Sequence, residues 1–330
     1  MELYEKSGYL NFSEIMKIKS PFIFITGGRG IGKSFGCLKW LIENKKIFLY
    51  LRRKDEEAKL QANKTTSQLS PVARYLNVEE TFSSIDKIHI CDFSNGARCY
   101  ISALSTFSNL RGIDLQECQY IIYDEFVPEI HARKIKEEGI AFSNVFETVN
   151  RNRELEGGVS VKAVLLSNSL NLDTDIFRTF NLIPIYEKMI NEGKEVTIGE
   201  TKTVIIPQRS PISNKKENTV LYKATSQEYS EMALQNKFIM NDFSLIKKED
   251  IKAYRAHTQI GDITIMRHKT QRRYYVIVRR MKAPSVYNDT ISGRQVFKRD
   301  TTTKFYWAYL DGKVLFDSFL AMSLFLKYYE

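Results

Sequence analysis

The chain has 330 residues, of which 43% are hydrophobic and 27% charged, and it carries 49 Lys and Arg against 39 Asp and Glu for a formal net charge of +10. That balance is globular rather than disordered or fibrous, and the length holds one large domain or two ordinary ones. The positive surplus favours an anionic partner without naming it. No apolar run reaches the roughly 18 residues of a membrane-spanning helix. Met1-Glu2-Leu3-Tyr4-Glu5-Lys6 lacks a basic region followed by an apolar run, so no signal peptide is expected. The cysteines Cys37, Cys91, Cys99 and Cys118 are too few for a disulfide framework and form no C-x-x-C pair, and the four histidines show no ligand spacing. We expect a reduced, intracellular, soluble protein that meets no membrane and holds no structural zinc.

Phe22-Ile23-Phe24-Ile25-Thr26 is a short run of β-formers that stops at glycines, and a helical pattern follows from Lys33 to about Asn44. Ile47–Leu51 reads as a second buried strand, and a polar helical stretch covers about Asp55 to Leu69. Lys87–Cys91 and Arg98–Ser102 flank Asn95-Gly96, a hairpin turn. Tyr120–Tyr123 is another strand, a helix covers Ile140 to about Asn150, and Val161–Leu166 is a further strand. Strands alternating with helices imply an α/β core around a largely parallel sheet. The pattern breaks from about Gly193 to Asn218, where Asn214–Asn218 is polar and reads as solvated, and a helical piece follows at Ser226–Gln235. Beyond it, Asp262–Met266 and Tyr274–Val278 are strands joined by the basic turn His268–Arg273, Phe305–Leu310 is another strand, and Asp317–Tyr328 is a closing helix. This divides the chain into 1–204 as a first domain, 205–240 as a linker or helical subdomain, and 241–330 as a smaller, basic α+β domain.

Gly27-Gly28-Arg29-Gly30-Ile31-Gly32-Lys33-Ser34 fits G-x-x-x-x-G-K-[ST] between a strand and a helix, the context that makes a P-loop credible. Glycines let backbone N–H groups curl round phosphates, and the helix start adds a favourable field. Lys33 can neutralise the β- and γ-phosphates of ATP, and Ser34 can ligate Mg²⁺. Asp124 and Glu125 close the strand Tyr120–Tyr123: Asp124 suits the metal through water, and Glu125 suits a base that activates the attacking water. The adjacent acids favour a hydrolysing motor over a nucleotide kinase. The strands between Lys33 and Asp124 fit the P-loop branch with an additional strand between these motifs. Arg151 and Arg153, in Asn150-Arg151-Asn152-Arg153-Glu154, offer an arginine finger for a neighbour's γ-phosphate or a solvated basic turn. Asn168 ends its strand either as a γ-phosphate sensor that positions water or as a cap for the next helix. Arg52 and Arg53 end the second strand, facing a phosphate, a subunit junction or solvent. The loop Pro128–Lys136 carries His131, Arg133, Lys134 and Lys136 directly after the acids, either to grip a phosphodiester backbone or as a solvated charge run.

Residues 247–304 hold 15 Lys and Arg against 5 Asp and Glu, a surplus equal to that of the whole chain, interleaved with Tyr254, Tyr274, Tyr275, Tyr287 and Phe297. Phosphate contact is the natural use of such a face, and Arg267, Lys269, Arg272, Arg273, Arg279 and Arg280 are its candidates. No base-reading motif accompanies them. We read this stretch as a docking face and the loop near 128–136 as the part that grips a phosphodiester backbone.

Gly28–Ser34, Tyr50-Leu51-Arg52-Arg53, Asp124-Glu125-Phe126, Arg151-Asn152-Arg153-Glu154 and Leu166-Ser167-Asn168, in that order, resemble the DNA packaging ATPases of small tailed bacteriophages of the phi-twenty-nine type. The resemblance runs over essentially the whole chain. It implies an additional-strand P-loop ATPase, related to large terminases, that forms a five-membered homomeric ring at the portal vertex of an empty capsid. Such a ring drives double-stranded DNA inward in the cytoplasm of an infected bacterial host. It also implies Lys33 and Ser34 on nucleotide and Mg²⁺, Asp124 on the metal, Glu125 as the catalytic glutamate, and Arg151 rather than Arg153 as a finger acting in trans. The C-terminal domain would resemble a ribonuclease-H-like nuclease that has lost its catalytic acids. No cleavage is expected, since such enzymes need clustered carboxylates and this stretch carries arginines. In some relatives a packaging RNA occupies this place, which adds RNA to DNA and portal as a partner to test. The loop after Asp124-Glu125-Phe126 departs from the family pattern, which leaves the gripping residues open. The rivals are another P-loop helicase or DNA translocase, and a nucleotide-switched nucleic-acid or portal adaptor with negligible turnover.

Overall fold

Phe22–Thr26 (β1) is buried from its second residue on, and so are the strands that flank it, as expected when helices cover a sheet on two sides. The chain was described from a computed structural model, which describes residues 1–85, 88–110, 114–128, 135–168, 171–208, 210–216, 218–225 and 244–329. It divides into two compact units, residues 1–180 with 188–240, and residues 181–187 with 241–330.

The first unit is built on a nine-stranded sheet. After β1 come β2 (Ile47–Arg52), β3 (Glu80–Ile85), β4 (Ile88–Phe93), β5 (Arg98–Ala103), β6 (Tyr120–Asp124), β7 (Lys162–Ser167), β8 (Val196–Ile198) and β9 (Lys202–Ile205). Their spatial order is β3-β4-β5-β2-β6-β7-β1-β9-β8. From β5 to β9 neighbouring strands run parallel, while β3, β4 and β8 close the edges antiparallel. The glycine-loop strand β1 and the acid-bearing strand β6 are therefore not neighbours, because β7 lies between them. Asn95-Gly96 does join β4 to β5, with Gly96 at φ 95.

Three expectations need correction in this unit. Asp55–Leu69 is not one helix. Helix Asp55–Gln61 stops, the Gln61 side-chain carbonyl accepts from the Gln68 N–H, and a second helix runs over Leu69–Leu76. Pro71 sits in the first turn of that second helix, where its missing N–H costs nothing. The irregular reading of 193–218 misses β8, β9 and helix Pro211–Lys216. The edge strand β3 was also missed, because its Glu-Thr-Phe-Ser-Ser-Ile run is mostly exposed and lacks an apolar signature.

The second unit carries a five-stranded sheet of β10 (Tyr254–Ile260), β11 (Ile263–His268), β12 (Tyr274–Ile277), β13 (Ser285–Tyr287) and β14 (Val314–Phe316), in the order β13-β10-β11-β12-β14. The three central strands form an antiparallel meander, and β13 and β14 join its flanks in parallel. Helices Ile291–Thr301 and Phe319–Lys327 bury Phe297, Phe319 and Phe325. Phe305–Leu310, expected as a strand, is helical: a π-turn at Thr302–Tyr306 leads into Trp307–Leu310. Burial explains the outcome. Phe305 is buried while Trp307 and Leu310 face outward, and Tyr306 and Tyr309 reach the rings of Tyr329 and Phe325. Helical spacing seats those rings, and that contact overrides the β-propensity of an aromatic run. The expected helix at 226–235 lies outside the described residues.

Candidate functional site

The parallel register brings four strand ends to one edge. Thr26 pairs with Ser167, Asp124 with Leu166, and Leu51 with Tyr123, so Arg52 and Asp124 end level with each other. Ligands of open α/β sheets bind at this carboxyl edge. The loop Gly27–Gly32 leaves β1 here and opens helix Lys33–Glu43 with Gly32 at its start, in the left-handed region at φ 87. A side chain at that φ would be strained.

Lys33 is buried, and its ammonium donates to the carbonyls of Gly27 and Gly28, each at 2.7 Å. Burial pushes its pKa down to about 7, against the pull of Asp124, with Lys216 and Arg29 adding to the depression and Glu125 opposing it. Ser34 Oγ donates to Asp124 Oδ1 at 3.0 Å. The other Asp124 oxygen accepts from Tyr50 OH at 2.8 Å and from Arg52 Nη1 at 3.1 Å. Arg52 Nη2 reaches Glu125 Oε2 at 2.6 Å. Glu125 itself sits at φ 59, its N–H donating to Asp124 Oδ1. Such a backbone is costly for a non-glycine residue and persists only where its surroundings impose it. Tyr50 and Arg52 thus hold the two acids in place. That role does not follow from the sequence around Tyr50 and Arg52, because it depends on β2 lying next to β6.

The hydroxyl of Ser34 and the carboxylate of Asp124 are hard oxygen donors that converge at the helix start, and they suit Mg²⁺, which takes one or two protein ligands and completes its shell with water and phosphate. Asn168 stands one residue beyond β7 on this same edge.

Arg53 takes none of the three places expected for it. Its guanidinium makes a two-pronged contact with the Glu138 carboxylate, at 2.8 and 2.9 Å, and Tyr123 OH also donates to that carboxylate. Both charged groups are buried. Removing one partner of such a pair strands the other charge, so Glu138→Ala should cost about 3–5 kcal/mol of stability in chemical denaturation. A loss below about 1 kcal/mol would mean water reaches the pair.

The two arginines of the Asn150–Glu154 turn part company. Arg153 Nη2 donates to the carbonyls of Gln116 and Cys118, the latter at 2.8 Å, so it ties the turn to the chain entering β6. Arg151 ends helix Glu138–Asn150 at φ 47, is 42% exposed, and lies 3.8 Å from the Asp114 carboxylate. Lys136 is exposed just before that helix, while His131, Arg133 and Lys134 lie outside the described residues. In the second unit Arg267, Lys269, Arg272, Arg279 and Arg280 are exposed. Arg280 pairs with Asp262 at 2.9 Å, and Arg273 pairs with Glu249 at 3.0 Å while lying over the Tyr254 ring.

The model of the Podovirus DNA encapsidation protein (Gp16) family matches residues 4–265. DNA packaging proteins of Bacillus phage PZA and Bacillus phage phi29 are each 27% identical to this chain over 259 residues, covering 74% of this chain and 70% of theirs. Among solved structures, the Phi-28 gp11 DNA packaging motor superposes with a TM-score of 0.68 over 98% of both chains at 17% identity. The bacteriophage Phi-29 viral genome packaging motor assembly gives 0.67 over 97% of this chain and 99% of that one at 21% identity. At these identities the structural likeness speaks to the fold.

Proposed function

Because the chain belongs to the Podovirus DNA encapsidation protein (Gp16) family, we propose that it packages viral DNA as an ATP-hydrolysing subunit of a ring at a capsid portal. The observation that carries the ATPase reading is the carboxyl edge of the first sheet, where Ser34 donates to Asp124 and Glu125 follows it beside the glycine loop. In that site the phosphates of ATP replace the Gly27 and Gly28 carbonyls as partners of Lys33. Ser34 and Asp124 would hold Mg²⁺, which when bound neutralises phosphate charge. Glu125 accepts the proton of the attacking water once its carboxylate leaves Arg52, and Asn168 faces the γ-phosphate from the end of β7. Arg151 of a neighbouring subunit stabilises the charge that develops on the transferred group.

The partner of the ring is double-stranded DNA, held through phosphates and therefore with little sequence preference. The basic loop after Asp124-Glu125 grips it, and the second unit docks on the portal or on a packaging RNA through Arg267, Lys269, Arg272, Arg273, Arg279 and Arg280. We take residues 1–204 as the motor domain, 205–240 as its link, and 241–330 as a vestigial nuclease-like domain. Metal-dependent cleavage needs clustered free carboxylates. Here Asp262, Glu249 and Asp289 are instead paired with Arg280, Arg273 and Arg294. The work takes place in the cytoplasm of the infected host, with the ring transiently at the portal. No helix among the described residues is long and apolar enough to cross a membrane.

The test is steady-state phosphate release by the purified protein, with and without double-stranded DNA and with and without empty capsids. Turnover raised severalfold by DNA and capsids is the expected result. Binding of ATP with negligible turnover under every condition would leave a nucleotide-switched adaptor, and robust strand displacement without capsids would leave a helicase.

A further inference from the structure

Lys216 ends helix Pro211–Lys216, in a polar run that reads as solvated from sequence alone. Its ammonium instead lies on the glycine loop, donating to the Gly30 carbonyl at 2.9 Å with the Arg29 carbonyl at 3.4 Å. The approach is close enough that a Cβ on Gly30 would come within 1.6 Å of the ammonium nitrogen, at a residue whose φ of 72 already favours glycine. Lys33 occupies the two preceding carbonyls. Residues 27 to 30 therefore present their carbonyls to two ammonium groups, one from the adjoining helix and one from 186 residues away.

The root of Lys216 is fixed. Ser210 is buried and donates to the Gly8 carbonyl at 3.0 Å, Ser213 is buried, and a Cβ on Gly8 would meet the Ile212 nitrogen at 2.8 Å. The segment after β9 is thus seated on the turn around Gly8, which leaves the long, partly exposed tip of Lys216 to exchange partners. Two cations against one loop repel each other. An arriving polyanion relieves that repulsion and offers each ammonium a charged acceptor, which makes a stronger hydrogen bond than a neutral carbonyl.

We propose that Lys216 is a second cationic ligand of the phosphate chain of the bound nucleoside triphosphate, supplied by the same subunit from the segment that leads toward the second unit. The proposal rests on the ATP-site reading above and adds a residue outside the glycine-loop motif. On nucleotide binding Lys216 trades the Gly30 carbonyl for a phosphate oxygen, as Lys33 trades those of Gly27 and Gly28.

The experiment is equilibrium binding of a fluorescent, hydrolysis-resistant ATP analogue to the full chain and to Lys216→Met, Lys216→Arg and Lys33→Met. Lys216→Met is expected to bind about tenfold more weakly, with a shallower dependence on salt, and Lys216→Arg to stay within about threefold of the native protein. Melting of the nucleotide-free Lys216 variants should be unchanged, because the contact they alter is exposed. If Lys216→Met binds within about twofold of native while Lys33→Met loses binding, Lys216 only caps the loop and the ATP-site reading survives without it. If the native chain fails to bind the analogue, the ATP-site reading falls and this inference with it.

Discussion

Glu125→Gln is expected to bind ATP as the native protein does and to hydrolyse it about a hundred- to ten-thousand-fold more slowly, the range a positioned general base contributes. The substitution is well matched to the geometry. Glutamine keeps the length of the side chain and an oxygen for Arg52 Nη2, which lies 2.6 Å from the native carboxylate. The backbone that holds residue 125 at φ 59, with its N–H on Asp124, is also untouched. What is removed is the negative charge of the carboxylate and, with it, its basicity. A structural explanation for so large a loss is too small by comparison, because Glu125 is 48% exposed and a half-solvated ion pair contributes no more than about 1 kcal/mol. Arg52→Ala is a poorer probe. Arg52 touches both acids, so its loss frees Glu125 and at the same time leaves Asp124 less neutralised. The measurement is single-turnover phosphate release at saturating ATP alongside nucleotide binding. Near-native release from Glu125→Gln would remove Glu125 as the base and return the question to Asn168 or to a group of another subunit.

The parts of this site that sequence revealed are those written in consecutive residues. Gly27–Ser34 needs only a strand before it and a helix after it, and Asp124-Glu125 needs only a buried strand to carry it. What sequence concealed depends on which strands become neighbours. Arg53 meets Glu138 across 85 residues, and Lys216 meets Gly30 across 186. No local pattern distinguishes a buried arginine from a solvated one, or a lysine on a glycine loop from one in water. The misread elements have the same origin. Phe305–Leu310 has the composition of a strand, and only the rings of the last helix make it helical. The strand β3 has the composition of a loop, and it forms because β4 offers it an edge to pair with.

Arg151→Ala should bind nucleotide and lose hydrolysis by about a thousandfold or more, the scale of an arginine finger, and its defect should be repaired by a neighbour. The topology argues for the second half of that statement. Helix Glu138–Asn150 leaves the carboxyl edge of the sheet after β6 and runs back to the edge where β7 begins. Arg153, two residues past Arg151, is tied to the carbonyls of Gln116 and Cys118, which precede β6. Arg151 therefore sits at the opposite edge from Lys33 and Asp124, a strand length of about 17 Å away for five residues. An arginine side chain does not span that distance, so Arg151 cannot complete the site of its own subunit. It is exposed, with the Asp114 carboxylate at 3.8 Å, so its guanidinium is accessible from outside its own chain. The decisive measurement mixes two inactive variants, Arg151→Ala and Glu125→Gln. Each population alone is silent. In a mixed ring, a subunit with Glu125 intact can receive Arg151 from a Glu125→Gln neighbour, and hydrolysis should reappear with a maximum near equal proportions. A mixture that stays silent at every ratio while rings still assemble would mean that Arg151 serves its own turn of chain, with Asp114, rather than a neighbour's ATP.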